Sequence, residues 1–320
     1  MVACPGTPGE TSARMHDARF DTVDAKVVSG IAPAKLNLFL EVLGRRPDGY
    51  HELATVFHEI DLADALTVEL IDGVGDDELE LTGLPIDGDP RQNLVLRAAR
   101  AFRQQVAPAP RLRIRLDKRV PPGTGMGAGS ADAAFVLSAL QRLCAPAASP
   151  SRLAAAARQV GADVAFFLQG GTAIGRGRGD EVEPFPPPAK PMAFLVALPP
   201  LAIATAAAYA HVDLIAPRRA VSSFVEGMRA GAAGNALRGS FNRLESAAIR
   251  VEPALGRLLD QLRGTTQRPW VMTGSGSALF APLADEADEA DAADAVRALL
   301  PTPACEWRVA RSFERHPGSR

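Results

Sequence analysis

"VPPGTGMGAGSADAAFVLSAL", residues Val120–Leu140, carries four alternate glycines, Gly123, Gly125, Gly127 and Gly129, and then turns into an apolar helical pattern. Glycine takes positive φ without steric cost and lets other groups approach the backbone closely. The preceding "RLRIRLD" (Arg111–Asp117) alternates, with Leu112, Ile114 and Leu116 on one face and arginines on the other. That alternation predicts a half-buried strand. Strand, glycine loop and helix therefore follow in order, with the helix starting near Gly129–Ser130. The first N–H groups of a helix lack intrahelical acceptors and sit at the positive end of its dipole. Such a loop and helix start make a phosphate cradle. Ser130 could add a hydroxyl to a phosphate or to Mg²⁺, and Asp132, in the first turn, could also approach a metal. The chain lacks the GK[S/T] ending of a Walker A loop and the HRD and DFG motifs of protein kinases. A mobile glycine-rich turn is the alternative for the loop alone; its strand–loop–helix setting favours phosphate.

Two other stretches place polar groups where apolar ones dominate. In "IAPAKLNLFLEVL" (Ile31–Leu43), period 2 puts Lys35 and Asn37 on one face and Leu36, Leu38 and Leu40 on the other. Either that face meets solvent or the lysine is aimed at a reaction centre. In "GADVAFFLQG" (Gly161–Gly170), Asp163 lies between a helix end and the apolar run Val164–Leu168. It either turns the chain or supplies a carboxylate. If the two meet, the ammonium would keep the carboxylate ionised, ready to accept a proton from an alcohol.

The rest of the chain is that of an ordinary globular protein. It has 320 residues, 47% apolar, with a formal net charge of −2. That charge gives no general attraction to nucleic acid or to an acidic membrane, so any anion is bound by local geometry. The three cysteines, Cys4, Cys144 and Cys305, are far apart and lack metal-ligand spacing. This fits a reduced, cytoplasmic protein. Five histidines include no HExxH. Residues 1–24 read as a disordered extension, and 313–320 as a tail. "AFLVALPPLAIATAAAYA" is broken by Pro199 and Pro200 and reads as strand, turn and short helix rather than a membrane span. Helices are expected over "NLVLRAARAFRQQV", over "ASPSRLAAAARQVG" with Ser149 as N-cap, and near Ser223–Met228, Arg243–Ile249 and Pro253–Arg263. "VAFFLQGGTAIGRG" reads as a hairpin or two strands, and "ADEADEADAAD" as a solvated helix face. The break "PFPPPAKP" marks a boundary between domains at 25–186 and 187–312.

Taken together, "APAKLNLFLEVLGRRPDGYHEL", "PPGTGMGAGSADAA", "GADVAFFLQG" and "MTGSGSALFAP" resemble the GHMP kinase superfamily, which phosphorylates small-molecule alcohols with ATP. Their order covers about residues 25 to 310. "PAKLNL" with "RPDGYHEL" is most similar to those members whose alcohol carries a cytidine diphosphate group. The resemblance implies an α+β two-domain fold, with an N-terminal domain bearing the glycine-rich phosphate loop and a C-terminal α/β domain closing over the substrate. It implies ATP and Mg²⁺ as cofactors, a small-molecule partner, no nucleic acid or membrane partner, and a monomer or a homodimer.

Residue roles follow from the same resemblance. Asp163 would be the base for the acceptor hydroxyl, Lys35 would lie beside it, and Asn37 would help place the substrate. Pro122, Gly123, Gly125, Met126, Gly127, Ala128, Gly129 and Ser130 would wrap the ATP phosphates. Asn93 would contact adenine with Lys118 as its companion. Tyr50, His51 and Tyr209 would form the cytosine pocket; Tyr50 and Tyr209 are the two tyrosines of the chain. The chain departs from the family pattern at Ala165, where proline commonly follows "GADV", at Thr124 and Ala128 in the loop, at Arg178, and in "GSGSALFA". A sister kinase for homoserine or mevalonate and a non-catalytic ATP sensor are the rival readings. "RPDGYHEL" with Tyr209 argues against the first, and the Lys35–Asp163 pair against the second.

Overall fold

Phe20–Val23 (β1), Val27–Arg45 (β2) and His51–Ile71 (β3) open the fold, and the two long strands β2 and β3 form its spine. The computed structural model describes residues 18–313 apart from 189, 231–232, 285 and 300–304. β2 and β3 pair antiparallel, with register shifts at Pro33/Lys35, Asn37/Phe39 and Val42/Gly44. Such irregularities bend a strand and re-aim its side chains. One half of β3 pairs with Arg111–Lys118 (β5), which pairs in turn with Glu78–Gly83 (β4). The other half pairs with Thr172–Gly177 (β6), the first strand of a hairpin with Glu181–Phe185 (β7). Helices Leu94–Gln105 (α1), Ala128–Cys144 (α2), Pro150–Val160 (α3) and Val164–Gln169 (α4) accompany this sheet. α1 and α2 share a core with it through Phe102, Phe135, Leu66, Val68, Leu112 and Ile114.

After the proline-rich segment, Ala193–Leu198 (β8) enters a second sheet. Helices Thr205–Ala210 (α5), Val221–Arg229 (α6) and Ala233–Arg238 (α7) follow, then Phe241–Asn242 (β9), Glu245–Val251 (α8) and Pro253–Thr266 (α9). Val271–Met272 (β10), Leu279–Leu283 (β11), Glu286–Leu299 (α10) and Glu306–Arg311 (β12) complete the order. The second sheet runs β10-β11-β8-β12, antiparallel throughout. The two sheets do not merely abut. β9 pairs parallel with β2 of the first sheet, and Leu36, Leu38 and Ile60 share a core with Phe194, Val196 and Phe280. Buried Glu41 of β2 accepts Arg243 Nε and Nη2 (2.6 and 2.8 Å) and the Arg219 backbone N–H (2.8 Å). Burial works to raise its pKa, but the Arg243 hydrogen bond and the backbone donors outweigh it and hold the carboxyl below the usual range.

Two expectations need correction. Phe20–Val23 is a strand paired with β2, so the extension expected to be disordered is ordered at its inner end; residues 1–17 lie outside the described part. Phe20 anchors it on Phe135, with centroids 5.0 Å apart. A Cβ on Gly30 would lie 1.9 Å from the Arg19 carbonyl, so the close passage of β1 requires that glycine. The run Val164–Gln169 is a helix, not a strand. Its Val164, Phe166 and Phe167 are buried, and Phe166 stacks on Phe57 at 4.8 Å. Tertiary packing has overridden the β preference of the aromatic pair; the hairpin begins only at Thr172. The acidic run forms helix α10 as expected, with Asp291 and Asp294 exposed, while Arg268 Nη1 donates to Asp288 (2.9 Å) and Arg311 Nη2 to Glu289 (2.7 Å). Ser149 does occupy the N-cap of α3, though its hydroxyl bonds Ser151 rather than the helix backbone. Among the described residues no helix is long and apolar enough to cross a membrane.

His58 shows how tightly β3 is locked. It is buried, with hydrogen bonds linking Nδ1 to Thr172 Oγ1 and Nε2 to Ser312 Oγ, both 2.9 Å. Burial pushes its pKa down to about 3. The depressed value means that stability is full above the unfolded-state pKa and falls as acid charges the unfolded imidazole first. Between pH 7 and 5 this one group removes about 2 kcal/mol of folding free energy. Denaturant unfolding of His58→Gln at both pH values should lack that share of the pH dependence; an unchanged dependence would refute the assignment.

Candidate active site

The glycine loop between β5 and α2 is held by a second glycine turn, Gly274–Gly276, between β10 and β11. The two meet backbone to backbone. Gly125 has φ +79°, and a Cβ there would lie 2.2 Å from the Thr273 carbonyl. A Cβ on Gly274 would lie 2.4 Å from the Gly125 carbonyl. The Ala278 N–H donates to the Thr124 carbonyl (3.1 Å). Buried Asn242 donates from Nδ2 to the carbonyls of Met272 and Gly274 (2.7 and 2.8 Å), which fixes the second turn. Gly123, at φ +73°, meets nothing within 4 Å and opens to the cleft. α2 begins at Ala128 with Gly127 in the left-handed region as its N-cap.

Lys35 is buried beside this junction. Its ammonium donates to the Gly125 carbonyl (2.5 Å) and to Asn37 Oδ1 (2.6 Å), and lies 3.8 Å from Asp163 Oδ2. The lysine side chain is 3% exposed and the aspartate 33%, so the carboxylate is the member that faces the cleft. Burial lowers the Lys35 pKa while the Asp163 charge works against that fall. The two polar residues of β2 therefore do not face solvent. Asn37 donates from Nδ2 to Thr55 Oγ1 (2.8 Å), and its backbone N–H donates to Thr273 Oγ1 (2.9 Å). Expected to place substrate, Asn37 spends its amide on Lys35 and Thr55, so what it orients directly is the lysine. Asp163 is the N-cap of α4. Ala165 falls in that helix's first turn, where proline is also tolerated, so this departure from the pattern is structurally silent.

A cleft of about 1280 Å³ joins these groups to the other expected residues. Its lining includes Asn93, Lys118, Pro122, Gly123, Gly125, Gly127, Ala128, Gly129, Ser130 and Asp132, and also Asn37, Tyr50, His51 and Tyr209. Met126 is the exception: its side chain is in the core, and only its carbonyl serves the site, by accepting the Lys35 N–H (3.0 Å). Asn93 caps α1 by accepting the Val95 N–H through Oδ1 (3.1 Å). The Lys118 ammonium, expected as the companion of Asn93, lines the same cleft and is buried between Asp64 and Asp132 Oδ2. Asp64 also accepts the Arg119 and Val120 N–H groups (2.6 and 2.9 Å). Lys118 thus straps the entry of the glycine loop to the helix that leaves it. Burial pushes the Asp132 carboxyl up to about 8 against the pull of Lys118. Asp64, Thr55 and Asn242 have no signal in the sequence, because short polar residues on apolar strands carry no motif of their own; Thr273 lies within "MTGSGSALFAP", but no role for it can be read there.

The far end of the cleft is aromatic. His51 stacks on Tyr209 with centroids 4.9 Å apart and an interplanar angle of 30°. Burial and the nearby Arg45 charge lower the His51 pKa, which keeps the ring neutral near pH 7. Burial, helped by the negative charge of Asp163, raises the Tyr209 pKa and keeps its phenol protonated. Thr205, at the start of the helix carrying Tyr209, shares a 2.9 Å hydrogen bond with Ser275 of the second glycine turn. Tyr50 is exposed at the rim beneath Arg178, whose guanidinium carbon is 4.9 Å from the ring centroid.

The sequence profile of the GHMP kinases N terminal domain matches residues 93–171, and that of the GHMP kinases C terminal matches residues 220–302. A 4-diphosphocytidyl-2-C-methyl-D-erythritol kinase of Thiobacillus denitrificans is 40% identical over 289 residues, 89% of this chain and 95% of that one. Its namesake in Aromatoleum aromaticum is 38% identical over 89% of this chain and 93% of its own. A crystal structure of a 4-(cytidine 5'-diphospho)-2C-methyl-D-erythritol kinase superposes with a TM-score of 0.69 at 35% identity, covering 89% of this chain and all (100%) of that chain. A homoserine kinase from Cytophaga hutchinsonii also gives 0.69, at 20% identity over 93% and 98% of the two chains, a likeness of fold alone.

The contrast between two loop glycines is testable. Gly125→Ala combines positive φ with a backbone clash and should cost about 2–5 kcal/mol of stability. Gly123→Ala has the same φ problem without the clash and should cost about 1–2 kcal/mol. Denaturant unfolding of both variants checks this; equal costs would show that the two turns are not in firm contact.

Proposed function

The chain belongs to the 4-diphosphocytidyl-2-C-methyl-D-erythritol kinase family of the GHMP kinases, and from that premise we propose the reaction it carries out and the residues that perform it. It is a small-molecule kinase that moves the γ-phosphoryl group of ATP to the 2-hydroxyl of 4-diphosphocytidyl-2-C-methyl-D-erythritol, in the non-mevalonate route to isoprenoid precursors. The observation that carries the mechanism is the buried Lys35 ammonium, placed between the Gly125 carbonyl of the phosphate loop and the Asp163 carboxylate.

The glycine loop and the start of α2 hold the ATP phosphates, and Asn93 meets the adenine. Asp163, turned to the cleft, accepts the proton of the acceptor hydroxyl. That oxygen bonds to the γ-phosphorus as the bond to the β–γ bridging oxygen breaks, and ADP leaves. Little covalent work falls to the protein in such a transfer; positioning and charge neutralisation dominate. Lys35 does both, because one ammonium is held against the loop and beside the base. The substrate's cytosine stacks at Tyr209 and His51, with Tyr50 at the rim. Asp132 Oδ1 is buried without a hydrogen-bond partner, and this orphaned oxygen, with the Ser130 hydroxyl, fits a Mg²⁺ ion carried on the ATP phosphates. Mg²⁺ bound through one carboxylate and substrate phosphates is its common mode in kinases. Bound there, it would neutralise developing phosphate charge.

ADP release should be measured with 4-diphosphocytidyl-2-C-methyl-D-erythritol, homoserine and mevalonate in parallel. Turnover with the first alone is expected; turnover with another alcohol would discard the cytosine pocket. ATP binding without turnover on any of them would favour a sensor. Asp163→Asn should lower kcat by about 10²–10⁴-fold while ATP affinity, read by calorimetric titration, stays unchanged. An unchanged kcat would remove Asp163 as base. Tyr209→Ala should raise KM for the cytidyl substrate by about five- to a hundredfold through lost stacking and leave KM for ATP unmoved; an equal rise in both would remove the pocket.

A further inference from the structure

The phosphate loop accounts for one set of phosphates, but a cytidyl substrate brings a second. A diphosphate linking cytidine to the alcohol must span from the aromatic end of the cleft to the reacting hydroxyl beside Asp163. Arg178 occupies that span. It sits in the turn between β6 and β7, where the Gly179 N–H donates to the Arg176 carbonyl (2.9 Å). Its guanidinium lies 4.9 Å over the Tyr50 ring. Its chain neighbour Gly179 lies near the base: a Cβ there would lie 3.8 Å from Asp163 Oδ1. One residue thus reaches the aromatic rim while its neighbour faces the catalytic carboxylate.

The guanidinium is also prepared for an anion. Nη2 donates to Asp180 Oδ2 (2.8 Å), and the Arg178 backbone N–H donates to Asp180 Oδ1 (3.2 Å). This pins one edge of the planar fork. Among the described residues no protein acceptor takes its Nε or Nη1, and the side chain is 25% exposed. A guanidinium with one edge fixed and the rest open matches phosphate oxygens with little left to order. A second cation, Arg45, is on the same rim as the cross-strand partner of His51. Arg45 is exposed, and among the described residues it forms no ion pair with a carboxylate.

We propose that Arg178, assisted by Arg45, is a second phosphate-binding element of the cleft and holds the diphosphate of the acceptor substrate. This rests on the cytidyl-kinase reading above. It divides the cleft's two phosphate tasks between different chemistries: backbone N–H groups for the nucleotide that donates, and guanidinium groups for the substrate that accepts.

The test compares CDP with cytidine as ligands of the intact protein, by calorimetry with excess ADP filling the nucleotide site. The wild type should prefer CDP by at least about tenfold, the yield of charge-assisted hydrogen bonds to one phosphate group. Arg178→Gln should bring that ratio close to unity with cytidine affinity unchanged, and Arg178→Lys should retain part of it. The Gln variant should also raise KM for the cytidyl substrate and leave KM for ATP alone. If Arg178→Gln weakens cytidine and CDP equally, the arginine serves only to order Tyr50 and the proposal fails. An unchanged ratio overturns it as well. Wild-type turnover alongside either result overturns this inference alone; a wild type that neither turns over nor binds cytidine overturns the parent reading too.

Discussion

A primary ammonium taken out of water is the constraint around which this cleft is organised. Lys35 has almost no contact with solvent, and burial of a charge is costly unless hydrogen bonds and opposite charge replace the lost water. The compensation comes from three separate parts of the chain: Asn37 on the same strand, the Gly125 carbonyl of the phosphate loop, and Asp163 at the start of α4. Each must be in place for the others to be stable there. The same ammonium therefore ties the strand, the loop and the base into one unit, and a displacement of the loop by nucleotide would be felt at the carboxylate.

The loop itself owes its position to the other half of the chain. Gly125 and Gly274 pack so closely that neither tolerates a side chain, and the Asn37 backbone donates to Thr273 in the same contact. Glycine is needed here for proximity as much as for φ. Asn242 clamps the second turn from behind, at the point where β9 joins the first sheet. Catalytic geometry thus depends on how the two sheets are docked. Glu41 and Arg243, buried between the same elements, set that docking. Breaking one partner of such a pair strands a buried charge, which is more damaging than the pair is stabilising.

Much of this was legible in the chain. The alternation in Arg111–Asp117, the glycine spacing and the start of α2 are local signals, and local signals survive folding. Lys35 and Asn37 were visible as polar residues on an apolar strand, but period 2 alone could not say whether their face was wet or buried. The answer depends on β2 being covered on both sides, which is a tertiary fact. Val164–Gln169 misled because two phenylalanines favour strand locally, while their burial against Phe57 decides for helix. For Lys118 the hidden part is its partner. A lysine ahead of a phosphate loop reads as a ligand contact, and nothing nearby in sequence reveals Asp64, fifty-four residues earlier, as its partner. Asp132 reads from the sequence as a first-turn residue able to approach a metal; its burial against that same lysine has no local signal.

The division of charge in the cleft explains why composition said so little about the ligands. With a net charge of −2 the chain shows no electrostatic footprint of a protein that handles several phosphates at once. On the proposed reading the donor's phosphates are met by backbone N–H groups, which carry no formal charge and leave only glycines as their trace. Lys118 and Lys35 are each balanced by carboxylates within the protein, so their charges cancel locally. What remains at the rim is Arg178, partly offset by Asp180 and raised on a tyrosine, with Arg45 beside it. A site built this way binds anions by geometry and lets them leave: strong uncompensated charge would hold ADP and the phosphorylated product as firmly as the substrates. On the proposed reading, discrimination between alcohols then falls to the rim, where the shared fold is silent and His51, Tyr209 and Tyr50 line the cleft.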